Sequence, residues 1–85
     1  GMRITFKLFA MLAEHLPADR PPGNAVDLEV PDGSTVAAVI DRFQLPPALV
    51  HLVLVNGSYV AADQRAARVL ADGDALAIWP PIAGG

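Results

Sequence analysis

Residues 2–10 read MRITFKLFA, and their alternation of apolar and polar side chains predicts a β-strand with one polar face. The predicted core face carries Ile4, Phe6, Leu8 and Ala10, and the opposite face carries Arg3, Thr5, Lys7 and Phe9. Residues 25–30 alternate in the same way, with Val26, Leu28 and Val30 opposite Asp27 and Glu29. We therefore predict that the first two strands pair with each other.

Two helices are predicted next to these strands. Residues 11–16 form a short one that ends before Pro17, because the residue preceding a proline is disfavoured in the α region. Thr35 suits the N-cap of the second helix, since its hydroxyl can accept a hydrogen bond from a free backbone N–H of the first turn. An apolar stripe at helical spacing follows, formed by Val36, Val39, Ile40 and Phe43, and Leu45-Pro46-Pro47 ends the helix.

The second half of the chain predicts further strands. Residues 51–55 are rich in β-formers, Asn56-Gly57 is a two-residue turn signal, and residues 58–60 return as a short strand. Residues 63–70 form an irregular or single-turn connection. Asp72-Gly73-Asp74 then turns into a last strand, with Leu76 and Ile78 on one face and Ala75, Ala77 and Trp79 on the other.

This order of elements predicts an α+β fold of the β-grasp type. We expect a mixed sheet of four to five strands curled over one main helix, because one apolar stripe can cover one face of a small sheet. The domain would comprise residues 2–79. Residues 80–85 would form a flexible C-terminal tail that ends in Gly84-Gly85.

Composition limits the function classes. The 85 residues make one small domain, with 53% hydrophobic and 18% charged residues. The absence of cysteine excludes disulfides, thiolate metal sites and a thiol nucleophile in this sequence. Net charge is -3, and the six basic residues are dispersed, so we expect no nucleic-acid binding. Apolar stretches are too short for a membrane span and no signal-peptide pattern is seen, so we expect a cytoplasmic protein.

Other candidate sites are weaker. His15, His51 and Ser58 match no local nucleophile motif, so a hydrolytic triad is not predicted. Asp72 and Asp74 offer too few oxygen ligands for a calcium loop, and we predict no metal site. Whether Arg65 and Arg68 contact a partner or form a solvated face is left open.

The aromatic residues predict a surface. Phe9 and Trp79 fall on the sheet face away from the helix, and Tyr59 lies at the tip of the Asn56-Gly57 hairpin. A contiguous aromatic patch would mark a docking surface. In the alternative interpretation, Phe9 and Trp79 simply cover each other.

The chain ends in Pro80-Pro81-Ile82-Ala83-Gly84-Gly85. The prolines end sheet pairing, and the glycines can pass through a channel too narrow for branched side chains. Extended, residues 82–85 reach on the order of 10 Å. This pattern predicts a carboxylate that another enzyme can activate, and a merely frayed terminus is the alternative.

Four segments together resemble the MoaD/ThiS sulfur-carrier proteins, which are ubiquitin-like in fold. They are FAMLAEHL at residues 9–16, VNG at 55–57, DGD at 72–74 and IWPPIAGG at 78–85. The resemblance covers residues 2–85 and is strongest in the last fourteen. Ala13 departs from the pattern, because molybdopterin-synthase small subunits often carry a basic residue there.

The resemblance implies a sulfur carrier. An E1-like adenylyltransferase, using ATP and magnesium, would adenylate the carboxylate of Gly85, and a persulfide donor would convert it to a thiocarboxylate. Gly84 would let the backbone lie flat in the activating site. The chain would bind no cofactor and would be a protein cosubstrate rather than an enzyme, or the small subunit of a molybdopterin-synthase-like enzyme.

The resemblance also implies partners and a docking site. The sulfur acceptor would be a molybdopterin synthase large subunit or a thiazole synthase, and Pro80-Pro81 favours molybdopterin over thiamine thiazole. Docking on the partners would involve Phe9, Tyr59, Trp79, Pro80, Pro81, Ile82 and Ala83. Two alternatives are a ubiquitin-like modifier conjugated through Gly85 to lysines, and a β-grasp interaction module whose terminus is inert.

Overall fold

The computed structural model describes residues 1–82, so the predictions made for Ala83, Gly84 and Gly85 lie outside the described residues. Five strands and one α-helix form the fold, joined by short 3₁₀ segments. The strands are β1 (Met2–Leu8), β2 (Ala25–Val30), β3 (Leu52–Val55), β4 (Ser58–Tyr59) and β5 (Ala75–Trp79), and the helix is α1 (Val36–Arg42). The 3₁₀ segments are Ala10–His15, Pro47–Leu49 and Ala62–Gln64.

The strands form one mixed sheet in the order β2-β1-β5-β3-β4. β1 pairs with β2, as predicted, and this pairing is antiparallel. β1 also pairs parallel with β5, while β3 pairs antiparallel with both β5 and β4. A five-stranded mixed sheet with one main helix confirms the predicted α+β, β-grasp fold.

The strand alternation of β1 fixes which face of the sheet is buried. Ile4, Phe6 and Leu8 are at most 1% exposed, and they belong to one core cluster with Val36 and Val39 of the helix. The ring centroids of Phe6 and Phe43 lie 4.9 Å apart, so the last residue of the predicted stripe also packs on the sheet. The opposite face of the sheet, called here the outer face, carries the alternate residues of each strand.

Local chemistry sets the ends of the helices. The hydroxyl of Thr35 accepts a hydrogen bond from the N–H of Ala38 at 3.1 Å, which confirms the predicted N-cap. The helix ends at Arg42, before the predicted Leu45-Pro46-Pro47 stop, and Gln44 adopts a left-handed φ of 53° just after it. The predicted helix at residues 11–16 is the 3₁₀ segment Ala10–His15.

One residue of the predicted first strand does not belong to it. Ala10 was expected on the core face, but β1 ends at Leu8 and Ala10 is exposed with a φ of 52°. The prediction is wrong because the chain turns at Ala10 into the 3₁₀ segment, and alternation alone does not show where a strand stops.

No helix within residues 1–82 combines the length and the apolarity that crossing a bilayer requires.

Candidate functional site

The outer face of the sheet carries an apolar surface that we call the outer patch, consisting of Phe9, Leu52, Leu54, Tyr59 and Trp79. The strand registers bring these residues together. Trp79 of β5 lies opposite Leu52 of β3, and Leu54 lies between Ala77 on one side and Tyr59 on the other. Directly opposed residues of neighbouring strands project from the same face. The outer patch therefore runs across β5, β3 and β4, with Phe9 at its margin.

Phe9 and Trp79 stack on each other. The N–H of Phe9 donates to the carbonyl of Ile78 at 3.1 Å, which extends the β1–β5 pairing by one residue and places Phe9 beside Trp79. The ring centroids are 4.1 Å apart and the ring planes differ by 6°. Both side chains are half-buried. The two rings thus cover each other in part, and each side chain remains partly exposed.

Tyr59 lies on the outer face but apart from the aromatic pair. Its side chain is 64% exposed, and two strand spacings, about 9–10 Å, separate its strand from β5. Leu52 and Leu54, both half-buried, occupy the space between them on β3. The three aromatic residues are therefore linked by leucines and do not form a continuous aromatic cluster.

The sequence prediction missed Leu52 and Leu54. Their strand reads LVLV, so both alternating sets are apolar, and Val53 and Val55 are the buried set. A strand that is apolar on both faces must present one set away from the core of a two-layer fold. The apolar character of both alternating sets in LVLV was therefore the sequence signal that could have identified Leu52 and Leu54 as surface residues.

The predicted docking residues at the end of β5 differ in burial. The N–H of His51 donates to the carbonyl of Trp79 at 3.1 Å, and Pro80, which has no N–H to offer, is buried after it. Pro81 is exposed, and Ile82 is 83% exposed. Ala83, which was also predicted to contact a partner, lies outside the described residues, as do Gly84 and Gly85. The chain thus leaves the domain next to the Phe9–Trp79 pair.

A buried carboxylate fixes the start of β5. Asp74 is 8% exposed, and its two oxygens accept hydrogen bonds from the N–H of Ala71 and the side-chain amide of Asn56, each at 2.8 Å. The Asn56 amide oxygen accepts in turn from the N–H of Ala75 at 2.8 Å. These bonds join the β3–β4 turn to the turn that leads into β5. The Ala71 bond lowers the pKa of Asp74, burial opposes it, and Asn56 and Arg68 reinforce the lowering.

The turn residues themselves confirm two predictions. Asn56 and Gly57 have φ values of 51° and 82°, as a two-residue hairpin turn of the primed type requires. Asp72 also ties the second turn to the sheet, because its carboxylate accepts from the N–H of Arg3 at 2.9 Å. The Asp72-Gly73-Asp74 segment is therefore a turn held by hydrogen bonds to β1 and to the hairpin.

The two arginines left open by the sequence have internal contacts. The Arg65 guanidinium is directed at the carbonyls of Val50 and His51, at 3.5 and 3.4 Å. Arg68 donates to the carbonyl of Val69 and is half-buried. Both side chains support loops of this domain.

The weaker candidate sites stay separate in the fold. His15 lies in the first 3₁₀ segment, His51 precedes β3, and Ser58 begins β4. No hydrogen bond among residues 1–82 joins any two of them. In the described part of the chain, no group of three or more histidine or acidic side chains is arranged to hold a metal ion.

Comparison with known proteins extends these observations. A family model described as the ThiS family matches residues 7–85. The crystal structure of SAMP1 from Haloferax volcanii is 28% identical with a TM-score of 0.68, and the alignment covers 98% of this chain and 99% of that one. The comparison with curated proteins gave no match.

Two more distant structures share the fold. The putative molybdopterin converting factor subunit 1 from Pyrococcus furiosus is 22% identical, with a TM-score of 0.64 and coverage of 96% of this chain and 100% of that one. The thiamine biosynthesis protein ThiS from Geobacter metallireducens is 18% identical, with a TM-score of 0.65 and coverage of 99% and 100%. At these identities the likeness concerns the ubiquitin-like β-grasp fold.

Proposed function

The chain belongs to the ThiS family, and from that premise we propose that it is a sulfur carrier. Its Gly85 carboxylate is adenylated and then converted to a thiocarboxylate, which donates sulfur in cofactor biosynthesis. The observation that carries the proposal is the extent of the family match, which runs through Gly85 and so includes the Gly84-Gly85 ending. The exposure of Ile82 supports it, because the described chain is directed to solvent three residues before Gly85.

The proposed chemistry activates a poor electrophile in two steps. A carboxylate oxygen of Gly85 attacks the α-phosphorus of ATP, pyrophosphate leaves, and an acyl-adenylate forms. A persulfide sulfur then attacks the acyl carbon, AMP leaves, and the resulting acyl disulfide is cleaved by a thiolate to give the thiocarboxylate and a disulfide. Splitting a difficult substitution through an activated intermediate is the general advantage of covalent catalysis. ATP and magnesium belong to the E1-like adenylyltransferase in this scheme.

The outer patch provides the docking surface for that enzyme and for the sulfur acceptor. Phe9 and Trp79 stack next to the point where the chain leaves the domain, so one partner surface can contact both the aromatic pair and residues 80–85. Interfaces gain most of their binding energy from a few well-packed aromatic and arginine residues. The chain acts as a protein cosubstrate, and catalysis lies with its partners.

We favour molybdopterin over thiamine thiazole as the product pathway because of Pro80-Pro81. Reconstitution distinguishes the two. Thiocarboxylated chain is offered separately to a molybdopterin synthase large subunit and to a thiazole synthase, and we expect sulfur transfer to the first. Transfer to the thiazole synthase alone would reverse the assignment.

A second candidate function is a ubiquitin-like modifier joined through Gly85 to lysines of other proteins. The observation in its favour is the similarity to SAMP1 from Haloferax volcanii along nearly the whole of both chains. A second similar structure from H. volcanii is described as small archaeal modifier protein 1. Both functions begin with the same acyl-adenylate. They differ in the nucleophile, which is a persulfide sulfur in one case and a lysine amine in the other.

Intact-protein mass spectrometry tests the carrier function. We incubate the full chain with ATP, magnesium, its cognate E1-like adenylyltransferase and a persulfide donor. The expected result is the mass change of one oxygen replaced by sulfur, located at Gly85 by fragmentation. Covalent conjugates of higher mass, with no thiocarboxylate, would instead support the modifier.

Two variants serve as controls for this reaction. One lacks Gly85, and the other carries one additional residue after it. Both should fold like the wild-type chain and accept no sulfur, because neither presents the Gly85 carboxylate. Sulfur gain by either variant would show that the acceptor lies elsewhere.

A further inference from the structure

Lys7 is the only lysine of the chain, and it lies on the outer face of a central strand. It stands opposite Ala25 of β2 and Ala77 of β5. Ala77 in turn lies opposite Leu54, and Leu54 lies opposite Tyr59, so cross-strand neighbours connect Lys7 to the outer patch. Lys7 is half-buried and has two alanines as its cross-strand neighbours. A lysine in such a position packs its aliphatic part on the protein and keeps its ammonium in water.

Lys7 differs from the other basic residues in its contacts. Each arginine has an internal partner: a carboxylate for Arg3, and main-chain carbonyls for Arg20, Arg42, Arg65 and Arg68. Within residues 1–82, Lys7 makes no ion pair, side-chain hydrogen bond or cation–π contact. Neither acidic residue that β2 carries on this face pairs with Lys7, since Glu29 pairs with Arg3 at 3.9 Å and no ion pair among residues 1–82 joins Asp27 to Lys7.

The positive charge of Lys7 is not explained by a role in preventing the edge of the sheet from pairing with another chain. Lysines on edge strands prevent pairing with other chains, but β1 has β2 on one side and β5 on the other. The position also adjoins the aromatic pair, because Phe9 follows Lys7 by two residues on the same face. A protein that covers the outer patch would therefore remove water from the Lys7 ammonium.

We propose that Lys7 pairs with a carboxylate that the E1-like adenylyltransferase presents opposite it, within an otherwise apolar contact surface. The inference rests on the proposed function, in which an E1-like adenylyltransferase covers the outer patch. An ammonium that is desolvated without a counter-charge is strongly disfavoured, so an apolar surface of the same shape is rejected. A carboxylate at that place restores affinity and fixes the register of docking.

Binding measurements with matched variants test the proposal. We titrate the full chain into the adenylyltransferase by calorimetry at low and high salt, comparing wild type with Lys7→Met, Lys7→Arg and Arg3→Met. Arg3→Met is the matched control, since it removes a positive charge from the outer face of the same strand, at a side chain that is 64% exposed. Thermal unfolding of each variant shows whether the fold is retained.

The expected results distinguish a specific ion pair at Lys7 from a general effect of the net charge of the chain on binding. Lys7→Met should bind at least about tenfold more weakly than wild type at low salt and show a flatter salt dependence. Lys7→Arg should retain most of the affinity, and Arg3→Met should stay close to wild type. Equal losses for Lys7→Met and Arg3→Met would indicate net-charge steering and overturn the proposal, as would wild-type affinity for Lys7→Met.

A carbodiimide cross-link identifies the partner carboxylate, because it joins an amine directly to an acid in contact with it. The single lysine makes the product easy to assign by peptide mapping. We expect Lys7 joined to an aspartate or glutamate of the adenylyltransferase, and no such product from Lys7→Arg. A wild-type chain that accepts sulfur but forms no Lys7 cross-link to the enzyme would refute this inference alone. A wild-type chain that neither binds the enzyme nor accepts sulfur would refute the proposed function as well.

Discussion

Asp74 illustrates how one buried carboxylate organises two distant turns. Both of its oxygens have N–H donors, so the charged form is stabilised although the side chain is 8% exposed. The sequence predicted a turn at Asp72-Gly73-Asp74 but not the bond to Asn56, which lies 18 positions away. Turn propensity is local, whereas this contact exists only once β3 and β5 have paired.

The lowered pKa of Asp74 makes its contribution to stability dependent on pH. The carboxyl binds protons less readily in the folded than in the unfolded state, so the stabilisation is fully present above its ordinary pKa of 3.8. It is lost as the pH falls through the lowered folded pKa. At neutral pH, Asp74→Asn should reduce the free energy of unfolding by about 1–3 kcal/mol. The new asparagine has one oxygen and one NH₂ group, so its NH₂ faces one of the two N–H donors and that hydrogen bond is lost.

Urea unfolding of the wild type and Asp74→Asn at pH 7 and at acid pH measures this effect. The difference between the two proteins should narrow as the solution becomes more acidic than the ordinary pKa of Asp74. The matched control is Asp63→Asn at an exposed position. A difference that is the same at both pH values would show that the charge of Asp74 contributes nothing.

At the scale of elements, β5 presents one face to the core and the other to the outer patch. Leu76 and Ile78 are fully buried, whereas Trp79 is half-buried on the outer face. The alternation of ALAIW was sufficient to predict that division. It was not sufficient to place Tyr59 relative to Trp79, because the order of strands in the sheet is not encoded in any single strand.

Trp79→Ala and Ile78→Ala provide a comparison within this one strand. Trp79→Ala should destabilise the fold by less than the roughly 3–5 kcal/mol typical of a buried aromatic residue, since it loses mainly the stack on Phe9. Ile78→Ala should cost about 2–5 kcal/mol, because it leaves a cavity in the core.

Binding to the adenylyltransferase should show the opposite order. Trp79→Ala should weaken binding by about 2 kcal/mol or more if the residue is an interface hot spot, while Ile78→Ala should affect binding little under conditions where it remains folded. Chemical denaturation and calorimetry measure the two quantities. A Trp79→Ala protein that unfolds as readily as Ile78→Ala and binds normally would make Trp79 a core residue only.

At the scale of the whole molecule, the last strand of the sequence occupies the middle of the sheet. β5 pairs with β1, the first strand, and with β3, so the sheet is complete only when both ends of the domain have met. The β-grasp class was predictable from the order of elements. The pairings that bring Phe9, just after β1, together with β3, β4 and β5 in the outer patch were not, because they depend on contacts between distant segments.

Hydrogen exchange should reflect this arrangement. We expect the amides of β5 and β1 to exchange most slowly, through global unfolding, because each strand is paired on both sides. The amides of Ser58 and Tyr59, in the short edge strand β4, should exchange faster by local opening. Exchange in β5 as rapid as in β4 would contradict the pairing described for the centre of the sheet.

Under the proposed function, the position of Trp79 limits which enzymes can act on Gly85. Gly85 lies six positions after Trp79, and a fully extended chain of that length spans at most about 20 Å. Pro80 is buried, so the usable length is shorter still. If Gly85 is the acylated residue, as we propose, an enzyme that binds the Phe9–Trp79 pair must hold its catalytic atoms within about 20 Å of the surface that contacts Trp79. The depth of the entrance tunnel is therefore a criterion for choosing among candidate enzymes, independent of how tightly they bind.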